Sequence, residues 1–167
     1  MKNNYFILLI CIFSLFFVLT GKAQDKHDHT HGHSHDNHKI ELGIANSMVY
    51  FVNEKEVGYG LHVHLVRKIS QSKFGVGLAY ERIFDEHKHN TIGIVGSYTP
   101  VDRLHFAVSP GISFEGGHSS EKSFATHFET SYEFQVGDFH IGPLVEVAYD
   151  SEDVHISLGM HIGLGFN

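Results

Sequence analysis

From residue 40 to the end of the chain, large apolar side chains recur at every second position, and none repeat at helical spacing. Eight such stretches are separated by turn residues: 40–52, 57–68, 73–84, 91–99, 103–115, 123–136, 139–149 and 154–166. The last is the most regular. Val154, Ile156, Leu158, Met160, Ile162, Leu164 and Phe166 fall on one face, and His155, Ser157, Gly159, His161, Gly163 and Gly165 on the other. The first has Leu42, Ile44, Met48, Tyr50 and Val52 on its apolar face, with Asn46 as an exception.

The second face decides the architecture. A soluble sandwich turns long charged residues outward, whereas here the second face is mostly Gly, Ala, Ser, His and Glu. Small and polar side chains suit the crowded interior of a narrow closed barrel, leaving the large apolar face for lipid. Tilted strands of about ten residues cross a bilayer. The expected fold is therefore all-β: an eight-stranded antiparallel up-and-down transmembrane β-barrel over residues 40–167. A soluble lipocalin-like barrel is the alternative. Aromatic positions give an independent check. If the N-terminus is periplasmic, Phe74, Tyr98, Phe106, Phe134, Phe139 and Phe166 mark the inner strand ends. Tyr50, Tyr59, Phe84, Phe114, Phe124 and Tyr149 then mark the outer ends, so two girdles emerge. Periplasmic turns are expected at 70–72, 100–102 and 137–138, and outer loops at 53–56, 85–90, 116–122 and 150–153.

The N-terminal segment has a different character. Lys2 precedes an apolar run over 5–19, and Gly21-Lys22-Ala23 forms a small-x-small site, so residues 1–23 read as a secretory signal peptide. The run is shorter than the roughly 20 residues of a spanning helix. Cys11 lacks the small preceding residue of a lipobox, and as the sole cysteine it permits no intrachain disulfide. Residues 24–39 contain nothing able to join a core and read as a disordered, histidine-rich tail. His27, His29, His31, His33, His35 and His38 alternate with Asp, Ser, Thr, Gly and Asn. Imidazoles in a flexible chain can wrap zinc, nickel, copper or cobalt, with Asp28 and Asp36 adding oxygen ligands. Such tails resemble the histidine-rich loops of zinc and nickel transporters and metallochaperones. A solvated linker that binds metal incidentally has the same composition.

The 167 residues carry a formal charge of −7, which becomes −9 when a cleaved leader takes Lys2 and Lys22 with it. That excludes nucleic acid as a partner, because its recognition needs clustered cations. No nucleotide loop and no HExxH-type motif occurs, which gives no reason to expect an organic cofactor. An enzyme acting on lipid would need a nucleophile–base pair on the outward face. No strand histidine lies there, and Ser47 has inward parity, so the chain reads as non-enzymatic.

The leader, the eight alternating strands and the ending Leu158-x-Met160-x-Ile162-x-Leu164-x-Phe166 resemble the small eight-stranded bacterial outer-membrane barrels of the OmpX and OmpA type. The resemblance is architectural and covers residues 40–167. It implies residence in outer-membrane lipid with a periplasmic tail. The C-terminal alternation also resembles the signal read by the barrel assembly machinery during biogenesis, here with Asn167 after the terminal aromatic.

Inside the expected barrel fall His62, His64, His105, His127, His140, His155 and His161, with His87, His89 and His118 in outer loops. Glu81, Glu129, Glu133 and Glu146 share the lumen with almost no Arg or Lys. Counting back from the 137–138 turn, Val136 meets Phe139 and Glu129 meets Glu146, with His127 and His155 near that level. Two confined carboxylates need a proton or a cation between them. His127, Glu129, Glu146 and His155 are a ligand set for zinc or a similar ion, or else a partly protonated packing network. The function these features suggest is metal binding through the tail, in metal homeostasis and with a metal transporter as partner. The alternatives are a structural or surface-interaction barrel with incidental histidines and, more remotely, a lipid-modifying enzyme.

Overall fold

The computed structural model describes residues 39–85, 88–115, 122–151 and 153–166. The leader, the tail histidines from His27 to His38, and the loop residues His87 and His118 lie outside the described residues.

The alternation becomes strands wherever it was regular. They are β1 (Ile40–Phe51), β2 (Val57–Lys68), β3 (Phe74–Phe84), β4 (His89–Val101), β5 (Leu104–Glu115), β6 (Lys122–Tyr132), β7 (Phe134–Val136), β8 (Phe139–Tyr149) and β9 (Val154–Phe166). β6 and β7 are two pieces of one barrel strand, because both pair with β8 in a single register. Pro143 of β8 lies opposite the junction and has no N–H to donate to the ladder, which interrupts pairing without shifting it. Neighbouring strands are all antiparallel, and β1 pairs with both β2 and β9. The β6–β8 pairing completes the ring, so the fold is a closed eight-stranded barrel.

The register fixes its shape. Stepping between partners leads from Ile40 through Arg67, Val76, Gly96, Val108, Phe128, Val147 and Ile156 to Tyr50, ten residues along the starting strand. That stagger over eight strands tilts them by roughly 40°. A 12-residue strand at ~3.3 Å per residue then climbs about 30 Å, enough for the ~25 Å apolar band of a membrane barrel. Closure at this size leaves a narrow interior that side chains largely fill, with room for no more than a small ligand.

The outward face is mostly apolar, with Asn46 on β1 and Arg67 and Arg82 on β2 and β3 among the exceptions. Leu78, Ile94, Leu158 and Phe124 are each about 60 % exposed, which suits hydrocarbon and not water. Aromatic residues pair across strands at both rims. Phe74 partners Tyr98, which partners Phe106 in the next strand, and the Phe74 and Tyr98 rings stack at 4.8 Å. At the other rim Tyr59 partners Phe84 with ring centres 5.9 Å apart.

Two expectations are corrected. β4 begins at His89, not Thr91, so 85–90 is not wholly a loop, and His89 is buried. Asp85 accepts the His89 backbone N–H at 3.2 Å and contacts its ring, while the Tyr80 hydroxyl donates to Asn90 at 2.8 Å. These side-chain bonds extend the ladder past the point where the apolar alternation stops. The interior is also not uniformly polar. Val49, Phe51 and Ile83 are each at most 2 % exposed and form an apolar plug inside the end that bears the β1–β2 and β3–β4 loops.

Candidate metal centre in the lumen

Alternation sends every odd-numbered side chain of β1, β3 and β9 inward, and every even-numbered one of β2 and β8. The inner wall then alternates large and small. Ala45 lies between His62 and His161, Ala148 between His127 and His155, and Gly43 beside His64. A Cβ at Gly43 would strike the imidazoles of His64 and His161, and one at Gly163 would strike His140. The glycines therefore make room for the rings.

Five carboxylates are buried here: Glu41, Glu81, Glu129, Glu133 and Glu146. His62, His64, His127, His155 and His161 are buried with them, while His105 and His140 are half-buried toward one mouth. Among the described residues no Lys or Arg is buried, and Lys68 sits half-buried at the rim. A carboxylate out of water is costly unless a positive charge stands close by. Within this lumen that charge comes from imidazolium, a proton or a metal ion.

The expected pairing of Glu129 with Glu146 is present, as is that of Val136 with Phe139. His127 and His155 flank Ala148 one step away, with ring centres 5.7 Å apart. The grouping of ligand atoms differs from the expected one. Glu81, His127, Glu146 and His155 each offer an atom within 4.8 Å of the others, so Glu81 takes the place expected for Glu129. Glu129 turns toward His62 and His64. Glu81 has inward parity and was legible as a lumen residue. Its approach to β6 and β8 comes from the curvature of the closed ring and not from adjacent pairing.

Distances within the group leave space for a shared ion. His127 Nδ1 lies 3.3 Å from Glu81 and 3.4 Å from Glu146, and neither contact has hydrogen-bond alignment. Charge-assisted N–H···O bonds are shorter, about 2.7–2.9 Å. Ligand atoms ~2.0–2.1 Å from a tetrahedral zinc stand about 3.3 Å apart. Both ring nitrogens of His155 are sealed from solvent without a hydrogen-bond partner, although the residue is only 4 % exposed. A buried polar group in that state costs about 1–3 kcal/mol, unless something fills its coordination. Ser157 donates its hydroxyl to Glu146 at 3.2 Å and orients the carboxylate.

A second cluster lies toward the mouth. His161 Nδ1 stands 2.8 Å from Glu133, and His140 Nε2 stands 3.3 Å from Glu41 and 3.5 Å from Glu133. Ser131 donates to Glu133 at 2.6 Å. Glu41, at the start of β1, has the inward parity of the other lumen carboxylates and joins them here. Ser47 is buried in the lumen, so it offers no nucleophile to lipid.

No protein-family model matches the sequence, and no curated protein does so either. Solved structures match the fold. Neisserial surface protein A aligns with a TM-score of 0.56 and 11 % identity, over 76 % of this chain and 96 % of that one. A de novo designed transmembrane β-barrel aligns with a TM-score of 0.51 and 12 % identity, over 74 % and 95 %. The fold is thus that of the small eight-stranded membrane barrels, and at these identities the likeness extends to the fold alone.

Proposed function

We propose that the protein is a non-enzymatic outer-membrane barrel that binds a divalent transition metal. Its lumen holds the ion, and the histidine tail gathers ions in the periplasm. The membrane reading is supported by the apolar outer face, the two aromatic rims and the likeness to membrane barrels. The expected leader and the C-terminal alternation support delivery to the outer membrane through the barrel assembly machinery. One observation carries the metal reading: His155 is buried with both ring nitrogens unpartnered, within ligand distance of Glu81, His127 and Glu146. Two neutral imidazoles and two carboxylates suit zinc, cobalt or nickel. A tail of six imidazoles and three aspartates draws on the same metals, consistent with metal homeostasis beside a transporter.

The test is cobalt titration of the folded full chain in detergent, followed through the visible ligand-field bands. Changing His27, His29, His31, His33, His35 and His38 to Ala should leave a tight class of site. Adding His155→Ala to that variant should remove the cobalt held by Glu81, His127 and Glu146, with β-sheet circular dichroism retained. If the tail variant binds no cobalt, the lumen assignment fails, and the alternative of a structural barrel with incidental histidines stands.

A further inference from the structure

The lumen contains more ligand groups than one ion needs, and they are not evenly open to the outside. Besides the deep set around His155, Glu41, His64 and His161 converge, as do Glu133, His140 and His161. These two sets share His161, and His140 Nε2 joins them at 3.3 Å from Glu41 and 3.5 Å from Glu133, so together they make one station. His62 links it to the deep set. Its Nδ1 is 3.6 Å from Glu146, a deep ligand, and its ring meets His64 at 5.5 Å. His64 then stacks on His161 at 5.1 Å. Ligands thus follow one another without a gap from the middle of the barrel to one mouth.

The two mouths differ. At the end bearing the β2–β3 and β4–β5 turns, a cavity of about 380 Å³ opens onto Glu41, His64, Glu129, Glu133 and His161. At the opposite end the Phe51 ring lies 5.4 Å from the His155 ring, and with Val49 and Ile83 it forms an apolar cluster above the deep set. The tail joins the barrel at the open end. The Lys39 N–H donates to the carbonyl of Phe166, and the Lys39 carbonyl accepts from Lys68, which lines the cavity.

We infer that the barrel holds two ions in series: an entry station of Glu41, Glu133, His64, His140 and His161, and the deep station behind it. Both fill through the mouth at which Lys39 joins the barrel. This rests on the metal reading above and adds stoichiometry and direction. A ligand exchanges fastest when the next donor is within reach before the last is released, which the His62–His64–His161 series provides. The vessel is one-ended, since an ion leaving past Phe51 would cross the apolar cluster before it met another ligand, the nearest being His89, whose ring lies 5.6 Å from that of Phe51.

The experiment uses the full chain with the six tail histidines changed to Ala and Cys11→Ser, so that an introduced thiol is the only one. Thr99→Cys places it in the wall of the open mouth, and Ser151→Cys places it at the plugged rim. Each is labelled after folding with a bulky, reducible thiol reagent, and cobalt uptake is timed. Two cobalt ions per barrel are expected at saturation. The label at Thr99→Cys should slow loading by about tenfold or more, with reductant restoring it, and the label at Ser151→Cys should leave the rate within about twofold. Equal rates for both labelled variants, or slowing at Ser151→Cys alone, overturn the one-ended route. A single ion per barrel overturns the second station. No cobalt in any variant, labelled or not, overturns the metal reading itself and is distinguishable from both.

Discussion

Val145→Arg tests the outward face. Val145 is 48 % exposed and faces outward one residue from the middle of β8, paired with Leu158. At a tilt of roughly 40° one residue corresponds to about 2–3 Å of height, so Val145 sits near the middle of the apolar band. Val136 makes the control. It is 60 % exposed, equally outward, but adjoins the turn at the rim. A guanidinium at the bilayer midplane costs ~2–4 kcal/mol, against ~0–1 kcal/mol near the interface. The two variants should therefore differ by about 2–3 kcal/mol, or roughly 30- to 150-fold in the folding equilibrium. Reversible urea titration of the protein folded in phosphatidylcholine vesicles, read by circular dichroism, measures both. If these positions faced water, each Arg would be a surface change within about ±0.5 kcal/mol. Equal costs for Val145→Arg and Val136→Arg would refute the membrane placement, whatever their size.

Changing the six tail histidines to Ala should remove most of the exposed cobalt capacity and leave the barrel's thermal unfolding unchanged, since residues 27–38 precede the first strand. Glu129→Gln should be tolerated or stabilising in chelator, because it relieves a carboxylate facing Glu146 and keeps a hydrogen-bonding group; destabilisation beyond about 1–2 kcal/mol would refute the repulsion argument. The same substitution should spare the deep cobalt site, whereas Glu146→Gln should weaken it at least tenfold, losing a direct ligand where even an orienting partner is worth ~10–100-fold. Gly142→Ala should destabilise by about 1–3 kcal/mol, since its Cβ would collide with the Tyr132 carbonyl across the ladder. Gly137→Ala meets open space and should cost only the ~1–2 kcal/mol of a left-handed backbone at φ 65°.

Much of this was legible in the sequence because the signal has period two and a closed barrel has no freedom to ignore it. A slip of one residue would turn His155, His161 and their neighbours to the apolar side, so parity alone assigned the inward histidines. The two-residue turn at Gly137-Asp138 then set the β6–β8 register, and Glu129 meets Glu146 as counted. Three features were not legible. The inward apolar residues Val49, Phe51 and Ile83 have the parity of the polar face, and nothing local distinguishes a plug from an error in pattern. His89 looked like loop because its strand extension depends on the Asp85 and Asn90 side chains and not on hydrophobic spacing. Glu81 reaches His127 across the lumen, and contacts across a ring depend on the ten-residue stagger, which no single hairpin reveals.

The charge balance inside the barrel leads to a further prediction. Five buried carboxylates cannot all stay ionised without compensation, since each would cost several kcal/mol and whole domains are stable by only about 5–15 kcal/mol. A lumen with arginine would carry its counter-charge permanently. This one has histidine, so its compensation is borrowed from solution as protons or metal ions. The two compete, because an imidazole that has taken a proton cannot ligate. Metal should therefore stabilise the barrel at high pH and cease to do so below the ordinary histidine value of about 6.5. At 100 times the dissociation constant one ion adds about 2.7 kcal/mol. Thermal or urea unfolding of the tail-substituted chain, with zinc and with chelator, should differ by that order at pH 8 and converge at pH 5. The same zinc increment at both pH values would mean that the ion is held by carboxylates alone, and no increment at either would remove the ion from the lumen.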